Sequence, residues 1–227
     1  MVDRDETPYN PLDKKNLAES VAEAMLARPV ETLPPPDSFI GSGIYALYYT
    51  GNFAPYKRLA KLNKDAMEHD SKLMVPIYVG RARPKGARKG LSFLEQSTEK
   101  SVYTRLARHG ATIRQVENLK IEDFRCRYLI VDEIWVSLGE SLLISTFRPL
   151  WNGKVDGFGN NMPGGKRETQ KNSNWDLLHP GRSWAKKLST HTITLPGLTK
   201  EIEEYWTEIL SPFEQKLLAE KGRSKKG

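Results

Sequence analysis

Two tyrosines in strand-like segments are the residues of this sequence that first suggest chemistry. Tyr45 lies in SGIYALYYTG and Tyr78 in PIYVGRA, each close to a glycine in an otherwise apolar run. An ionised phenol is a base, but its pKa is near ~10, so roughly one in a thousand is ionised at neutral pH. Side chains alternate between the two faces of a strand, so Tyr45, Leu47 and Tyr49 share one face. Taken alone, each tyrosine is more typical of an ordinary sheet residue that packs its ring and exposes its hydroxyl.

Three other segments offer charged or polar groups, each with a plainer alternative. Arg105 and His109 are four residues apart, so a helix places both on one face, where arginine can hold a phosphate and histidine can exchange a proton. A solvated basic helix surface fits them as well. Glu140 supplies a hard carboxylate suited to Mg²⁺, although Ser137-x-x-Glu140 is also a capping box that begins a helix. Asn152 is followed by glycine, a dipeptide typical of turns.

The hydrophobic periodicity predicts which elements hold these residues. A proline-rich connector, 29–39, separates the first helix from the first strand, and a glycine- and asparagine-rich stretch, 151–180, is expected to be irregular. Three strands with helices after the second and third form a small α/β layer, onto which the other elements pack. The expected strands are 43–50, 76–81 and 124–132. The expected helices are 12–28, 57–69, 101–118, 137–149, 180–188, 198–210 and 211–221.

Two tripeptides around the tyrosines resemble a known paired signature. Gly43-Ile44-Tyr45 and Tyr78-Val79-Gly80 are similar to the two motifs that name the GIY-YIG nuclease family. In that family a later helix carries an arginine and a histidine one turn apart, another helix carries a metal-binding glutamate, and an asparagine follows. The matching positions here, in the same order, are Arg105, His109, Glu140 and Asn152.

The resemblance extends to one group of restriction endonucleases within that family. Segments between about Leu33 and Ala185, among them LPPP, YALYYTG, PIYVG, RPLWN, VDGFGN and HPGRSWA, resemble type II enzymes that cut GC-rich palindromes of the CCGCGG type. This likeness implies an α/β (α+β) fold with a small three-stranded antiparallel sheet flanked by helices. It divides a single domain into a core over about 40–155, an N-terminal arm 1–39, an insertion 52–75 and a C-terminal extension 156–227.

The resemblance implies reactive roles for four of the matching residues. Glu140 would bind one Mg²⁺ per active site, with Mn²⁺ as a substitute, and the single matching acid favours a one-metal mechanism. Tyr45 would be the general base for a metal-activated water, and a positive charge on His109 or Arg105 would favour its phenolate. Arg105 would also hold the scissile phosphate with its fork of donors.

Two further matching residues would support the site. Tyr78 would position the phosphate or the water, and the neighbouring Gly80 would let the substrate approach the backbone because it has no side chain. Asn152 would support the cleft or contact the catalytic groups. Tyr49 shares a strand face with Tyr45, and two alternatives stay open: it lies in the cleft, or it only packs beside Tyr45.

Basic residues outside this set are expected to contact DNA. The loop from Arg81 to Lys89 has five basic residues and no acid, and a solvated charged surface is its alternative. Similar backbone contacts are expected from Lys57, Arg58, Lys61 and Lys64. Arginine and lysine suit guanine in a GC-rich site, with Arg83, Arg88, Lys166 and Arg167 as candidates. Arg182 has a second interpretation, as an anchor of the HPGRSW turn. The full set of DNA-binding candidates is Arg81, Arg83, Lys85, Arg88, Lys89, Lys166, Arg167 and Arg182.

Composition narrows the class of protein and its compartment. The chain has 227 residues, a net charge of +7 and a pI of about 9.3, which suits one domain with a polyanionic partner. Cys126 is the single cysteine, which rules out a disulfide framework or a cysteine-based zinc site within one chain. No apolar stretch is long enough to span a bilayer and no signal-peptide pattern is present, so we expect a reduced, cytoplasmic compartment. The resemblance to restriction endonucleases implies a prokaryotic cell.

The sequence therefore predicts a Mg²⁺-dependent, site-specific endonuclease of restriction type acting on double-stranded DNA. A palindrome is most simply cut by a C2 homodimer with two active sites, and a DNA methyltransferase would protect the host. The first alternative is a repair or mobile-element nuclease, but such proteins usually carry a separate DNA-binding domain. The second is a catalytically silent DNA-binding or structural protein, which would have lost a motif residue, and none is lost.

Overall fold

The polypeptide is described by a computed structural model over residues 12–69, 71–84, 99–160, 171–185, 188 and 193–224. Within these residues the chain forms six α-helices and four strands. In chain order they are α1 (Lys14–Leu26), β1 (Glu31–Thr32), β2 (Gly43–Tyr49), α2 (Lys57–Glu68), β3 (Tyr78–Ala82), α3 (Ser101–Arg114), β4 (Phe124–Ile130), α4 (Glu133–Phe147), α5 (Asn174–Leu178) and α6 (Leu195–Ser224).

The four strands form one antiparallel sheet in the order β1-β4-β2-β3. The mixed fold with a small antiparallel sheet flanked by helices confirms the expected class. The three expected strands are present, and β1 is an addition that pairs Glu31 with Cys126 and Thr32 with Arg125. A two-residue strand is too short to show the alternation from which strands are predicted.

The central strand β2 is buried on both faces, and all seven of its residues are buried. Tyr45 meets His109 of α3 on one face, while Ile44 points to the other face, where it packs against α4. A Cβ added to Gly139 of α4 would lie 3.0 Å from Ile44 and 2.6 Å from Val21 of α1. This glycine therefore lets α1, α4 and the sheet approach closely.

Helix α4 begins earlier than the sequence pattern predicts. Its first residue is Glu133 and Asp132 occupies the N-cap position, so Ser137 lies inside the helix. The capping-box interpretation of Ser137 and Glu140 is therefore wrong. The two side chains are instead one turn apart on the same helix, which allows them to act on a common partner.

The C-terminal part of the chain differs most from expectation. Residues 180–184 form turns instead of the expected helix, and α5 lies just before them. The two expected terminal helices are one continuous helix, α6, with Pro212 inside it. Proline at that position removes one helical hydrogen bond without ending the helix.

Helix α6 packs along α2, so the segments expected to be the insertion and the C-terminal extension contact each other. Arg58 of α2 donates to both carboxylate oxygens of Glu214 at 2.8 and 2.7 Å, and Lys221 lies 3.3 Å from Asp65. Arg58 thus joins two helices, which does not fit its expected role as a DNA backbone contact. Across the described ranges, none of the helices has the length and apolar character that a membrane crossing requires.

Candidate active site

The centre of the candidate site is a buried hydrogen bond between two of the expected residues. The hydroxyl of Tyr45 on β2 lies 2.8 Å from Nε2 of His109 on α3. Their side chains are almost fully buried, at 1% and 4% exposure. The sheet and the helix packed on it therefore bring together two residues that are 64 positions apart in the chain.

Tyr78 and Arg105 lie around this pair. The ring of Tyr78 is centred 6.3 Å from that of Tyr45 and 5.2 Å from that of His109. The positive charge of Arg105 acts to lower the pKa of both tyrosines, whereas the negative charge of Glu140 acts to raise both. Five of the six residues expected in the site thus interact with one another.

Asn152, the sixth residue, holds the strand that carries Tyr78. Its side-chain oxygen accepts a hydrogen bond from the backbone N–H of Val79 at 2.8 Å, and its amide nitrogen donates to the carbonyl of the same residue at 2.8 Å. Val79 lies between Tyr78 and Gly80. Asn152 therefore anchors β3 next to Tyr78, and the turn that contains it, Leu150–Asn152, places it there.

Gly80 has a different role from the expected one. It pairs with Tyr45 across β2 and β3, and a Cβ at this position would lie 2.5 Å from the Tyr45 hydroxyl oxygen and 2.6 Å from Cζ. The space left by the missing side chain is occupied by the tyrosine ring. Gly80 therefore makes room for Tyr45, and the expectation that it admits substrate to the backbone is wrong.

Substitution of Gly80 by alanine is expected to damage both stability and cleavage. The added methyl group overlaps the ring of a fully buried tyrosine, so the free energy of unfolding should fall by ~1–3 kcal/mol and the Tyr45–His109 hydrogen bond should be displaced. Denaturant unfolding and a plasmid cleavage assay measure the two effects. Gly222→Ala is the control, since no atom lies within 4 Å of its added Cβ. Equal stability of the two variants would contradict the packing described for Gly80.

Burial changes the proton affinities of the central pair. Burial raises the pKa of Tyr45 well above its usual value, with Tyr78 and Glu140 acting in the same direction and Arg105 against them. Burial, followed by the charge of Arg105, lowers the pKa of His109 to about 3. His109 is therefore neutral at neutral pH, and of the two residues expected to provide positive charge only Arg105 does so.

The low histidine pKa values lead to a prediction about stability. His109 and His179 are both buried, and burial lowers the pKa of each from 6.5 to about 3. At a pH between about 3 and 6.5, each histidine is neutral in the folded protein and protonated in the unfolded chain. The contribution of each histidine to stability is therefore fully present above the unfolded pKa and is lost as the pH falls toward the folded pKa. Each histidine should contribute ~1.4 kcal/mol per pH unit to this slope. Denaturant unfolding across mildly acidic pH should show a shallower slope for His109→Gln, and identical slopes would contradict the buried neutral state.

Phe158, which the sequence did not single out, buries the histidine of the site. Its ring stacks on that of His109, with centres 4.6 Å apart and planes inclined by 20°. The next residue, Gly159, comes so close to Tyr78 that an added Cβ would lie 2.9 Å from the tyrosine hydroxyl oxygen. Both residues belong to the VDGFGN segment, whose glycines around an aromatic residue were the available sign of a close-packed turn.

Tyr49 has a packing role, with partners other than Tyr45. Its hydroxyl accepts a hydrogen bond from the backbone N–H of Phe53 at 2.8 Å, and its ring contacts those of Tyr56 and Phe124. The strand face is shared, but the two hydroxyls have different partners. Of the two alternatives left by the sequence, the structure favours the packing role.

Tyr56 and His179 form a second buried group, which contacts the turn that contains Asn152. The Tyr56 hydroxyl lies 2.6 Å from Nε2 of His179 and accepts from Nε1 of Trp151 at 2.9 Å. Nδ1 of His179 lies 2.9 Å from Oδ1 of Asn118. Because Trp151 precedes Asn152, this network holds the turn that supports the cleft.

Glu140 is the candidate metal ligand and is paired with an arginine. Its side chain is 19% exposed, and Oε2 lies 3.0 Å from Nη1 of Arg81. Burial raises the pKa of Glu140, while the charges of Arg81 and Arg83 act to lower it. Both arginines also donate to the hydroxyl of Ser137, one turn earlier on α4.

The donor set around Glu140 fits a hard divalent cation held by few protein ligands. The Glu140 carboxylate interacts electrostatically with Tyr45 and Tyr78, and it offers the oxygen donors that Mg²⁺ prefers. Among the residues that the structure describes, no group of three or more histidine, cysteine, aspartate or glutamate side chains is arranged to hold a metal ion. An ion at Glu140 would therefore keep most of its coordination for water and phosphate oxygens.

The residues expected to contact DNA lie in different environments. Arg81 and Arg83 are exposed at the edge of the candidate site. Arg182 is 2% exposed, its Nε donates to Asp176 at 2.6 Å, and its guanidinium lies over the rings of Trp175 and Trp184. Such a buried ion pair does not fit a DNA contact, and it matches the alternative of an anchor for the HPGRSW turn. The remaining candidates lie outside the described residues: Lys85, Arg88, Lys89, Lys166 and Arg167.

Comparison with known families gives one match, and it covers the whole candidate site. Residues 37–206 match the family described as the Eco29kI GIY-YIG domain, more than half of the chain. Eco29kI is a type II restriction endonuclease that recognises CCGCGG. A search among curated proteins found no significant match. The matched range contains all six residues of the candidate site.

Proposed function

Because this chain belongs to the Eco29kI family of GIY-YIG restriction endonuclease domains, we propose that it is a type II restriction endonuclease that cuts double-stranded DNA at a specific, GC-rich palindrome. The family places it among DNA endonucleases. The observation that carries the finer proposal is the interaction of Tyr45, His109, Tyr78, Arg105 and Glu140 with one another around β2 and β3. Hydrolysis of a phosphodiester needs an activated water and charge neutralisation on the phosphate, and this set offers candidates for both tasks.

Tyr45 is proposed as the general base. In the tautomer that carries the proton on Nε2, neutral His109 would donate to the Tyr45 oxygen across the 2.8 Å contact and so favour the phenolate. Arg105 acts in the same direction through its charge. The Tyr45 oxygen then takes the proton of the attacking water as the new phosphorus–oxygen bond forms and the bond to the leaving DNA oxygen breaks. That oxygen departs with the electron pair of the broken bond and takes a proton from solvent water. Arg105 also neutralises the phosphate, and Tyr78 orients the water or the phosphate.

Glu140 is proposed to hold one Mg²⁺ per active site, with Mn²⁺ as a substitute. When bound, the ion supplies positive charge that acidifies water and offsets the charge developing on the phosphate. The carboxylate charge of Glu140 otherwise raises the pKa of Tyr45, so its neutralisation also favours the base. Asn152 keeps the Tyr78 strand in register while these groups act.

The proposal extends to assembly and biological setting. A C2 homodimer would place one site on each strand of the palindrome. The core over about 40–155 would carry the chemistry, while the arm 1–39, the insertion 52–75 and the extension 156–227 would supply dimer and DNA contacts. The enzyme would act in the cytoplasm of a prokaryotic cell beside a DNA methyltransferase with the same specificity. Sedimentation with DNA tests the assembly, and a 1:1 complex that cuts both strands at once would contradict it.

A plasmid cleavage assay tests the proposed function. Supercoiled plasmid that contains CCGCGG should become linear in the presence of Mg²⁺ or Mn²⁺ and remain intact with a chelator. A repair or mobile-element nuclease would instead act on nicked or branched DNA, so a branched duplex is the comparison substrate. Cleavage of the branched duplex alone would favour that alternative, and plasmid cleavage that is equal with chelator would contradict the metal assignment.

A further inference from the structure

Arg81 stands out because it contacts the proposed metal ligand directly. Its Nη1 lies 3.0 Å from Oε2 of Glu140 and 2.8 Å from the hydroxyl oxygen of Ser137. Ser137 and Glu140 are one turn apart on α4, so together they form a two-point cradle for the guanidinium. Arg81 itself comes directly after Gly80 on β3, which is an edge strand of the sheet.

This cradle holds a cation where the proposed metal would bind. The ammonium or guanidinium charge of a side chain and a divalent ion compete for the same carboxylate oxygens. The Arg81 side chain is 43% exposed and Glu140 is 19% exposed, so the arginine can leave the cradle toward solvent or DNA without opening the core. Arg83 donates to the same serine hydroxyl, while the ion pair of Glu140 in the described residues is with Arg81.

We propose that Arg81 is a positioning residue that occupies the Glu140 carboxylate in the DNA-free protein and moves to a DNA phosphate on binding, which frees Glu140 for the metal ion. This inference rests on the proposed function of Glu140. A phosphate offers arginine two oxygens in the same fork geometry as a carboxylate, so the exchange costs Arg81 little. Metal binding and DNA binding then reinforce each other, because linkage between two sites is reciprocal.

The first part of the proposal is that Arg81 competes with the metal ion for Glu140 in the DNA-free protein. A Mn²⁺ titration of the full DNA-free protein tests it, with free Mn²⁺ measured by electron paramagnetic resonance. Arg81→Gln removes the competing charge and should bind Mn²⁺ about tenfold more tightly than the unmodified protein. Arg83→Gln is the matched control, because it shares the serine but lacks the ion pair, and it should give a smaller change. Thermal unfolding of each variant identifies loss of fold, and the exposure of Arg81 predicts that both variants fold.

The salt dependence of binding to a random-sequence duplex tests the second half. If Arg81 reaches a phosphate, the negative slope of log K against log salt should be less steep by about one for Arg81→Gln. Unchanged or weaker Mn²⁺ binding by Arg81→Gln overturns the proposal, and so does an unchanged salt slope. Glu140→Gln separates this outcome from failure of the proposed function, since Mn²⁺ affinity that is unaffected by that change overturns the metal assignment itself.

Discussion

Glu140→Gln is expected to abolish DNA cleavage and leave folding and DNA binding intact. The amide keeps the size of the side chain and can still accept a hydrogen bond from Arg81, whose Nη1 lies 3.0 Å from Oε2. It lacks the charge that would hold Mg²⁺, so the rate should fall by about three orders of magnitude or more. Single-turnover cleavage measures the rate, and gel-shift assays measure binding. Glu140 is half-buried at the edge of the site, so little packing is lost.

Glu133→Gln is the matched control on the same helix. Glu133 lies in the first turn of α4, two turns before Glu140, and belongs to no part of the proposed site. Its replacement should leave the cleavage rate within about twofold, since it changes one charge at a helix end. Cleavage by Glu140→Gln at a rate close to that of the Glu133 variant would remove Glu140 as the metal ligand.

Tyr45→Phe should lower the cleavage rate by ~10²–10⁴, the range expected when a general base is lost. The substitution removes one hydroxyl and keeps the ring that fills the space over Gly80. Since the pKa of Tyr45 is raised, the rate of the unmodified enzyme should increase with pH from about 7 to about 9 as more phenolate forms. That increase should be absent from the variant, and single-turnover rates across this range measure both effects.

Tyr49→Phe provides a sharp comparison for the second prediction. Tyr49 is on the same strand and face, is equally buried at 1% exposure, and hydrogen-bonds to the backbone of Phe53. Its loss should cost about 1 kcal/mol of stability and leave the cleavage rate unchanged. If both tyrosine variants lose cleavage to the same extent, the role of Tyr45 is structural and a different base must be sought.

Much of the sheet could be predicted because its strands have a strong local pattern. Apolar runs that end in glycine indicate β2 and β3, the FRCRYLIVD segment indicates β4, and the order of the motifs indicates the family. The short strand β1 could not be predicted, because two residues carry no periodicity. The start of α4 was misplaced since Ser137 and Glu140 have capping-box spacing, whereas their side chains instead form a cradle for Arg81.

The local sequence pattern also could not predict that α6 is one continuous helix. Ser211-Pro212 is typical of a helix start, yet the helix runs through it. The contacts that favour one long helix come from elsewhere in the chain: Glu214 pairs with Arg58, and Trp206 donates to the carbonyl of Pro55 at 2.9 Å. Such contacts join segments about 150 residues apart in sequence, and only the folded chain brings them together.

The sequence motifs select six candidate residues, but they do not predict the contacts among them. The sequence placed Tyr45 near a cation, whereas its closest partner is a neutral histidine covered by Phe158. Gly80 was given a role toward substrate because its spatial partner, Tyr45, is on another strand. The basic character of Arg182 suggests a DNA contact, but its buried ion pair with Asp176 gives it a structural role. In each case a long-range packing partner decided the role.

The most direct test of the central claim is to sequence the fragment ends after digestion of a plasmid of known sequence with Mg²⁺. The proposed enzyme predicts that all ends map to one short GC-rich palindrome, cut at symmetric positions on the two strands. The same digestion with Glu140→Gln should give no ends above background. Ends scattered without a common sequence, or cuts confined to one strand, would contradict a restriction endonuclease with one site on each protomer.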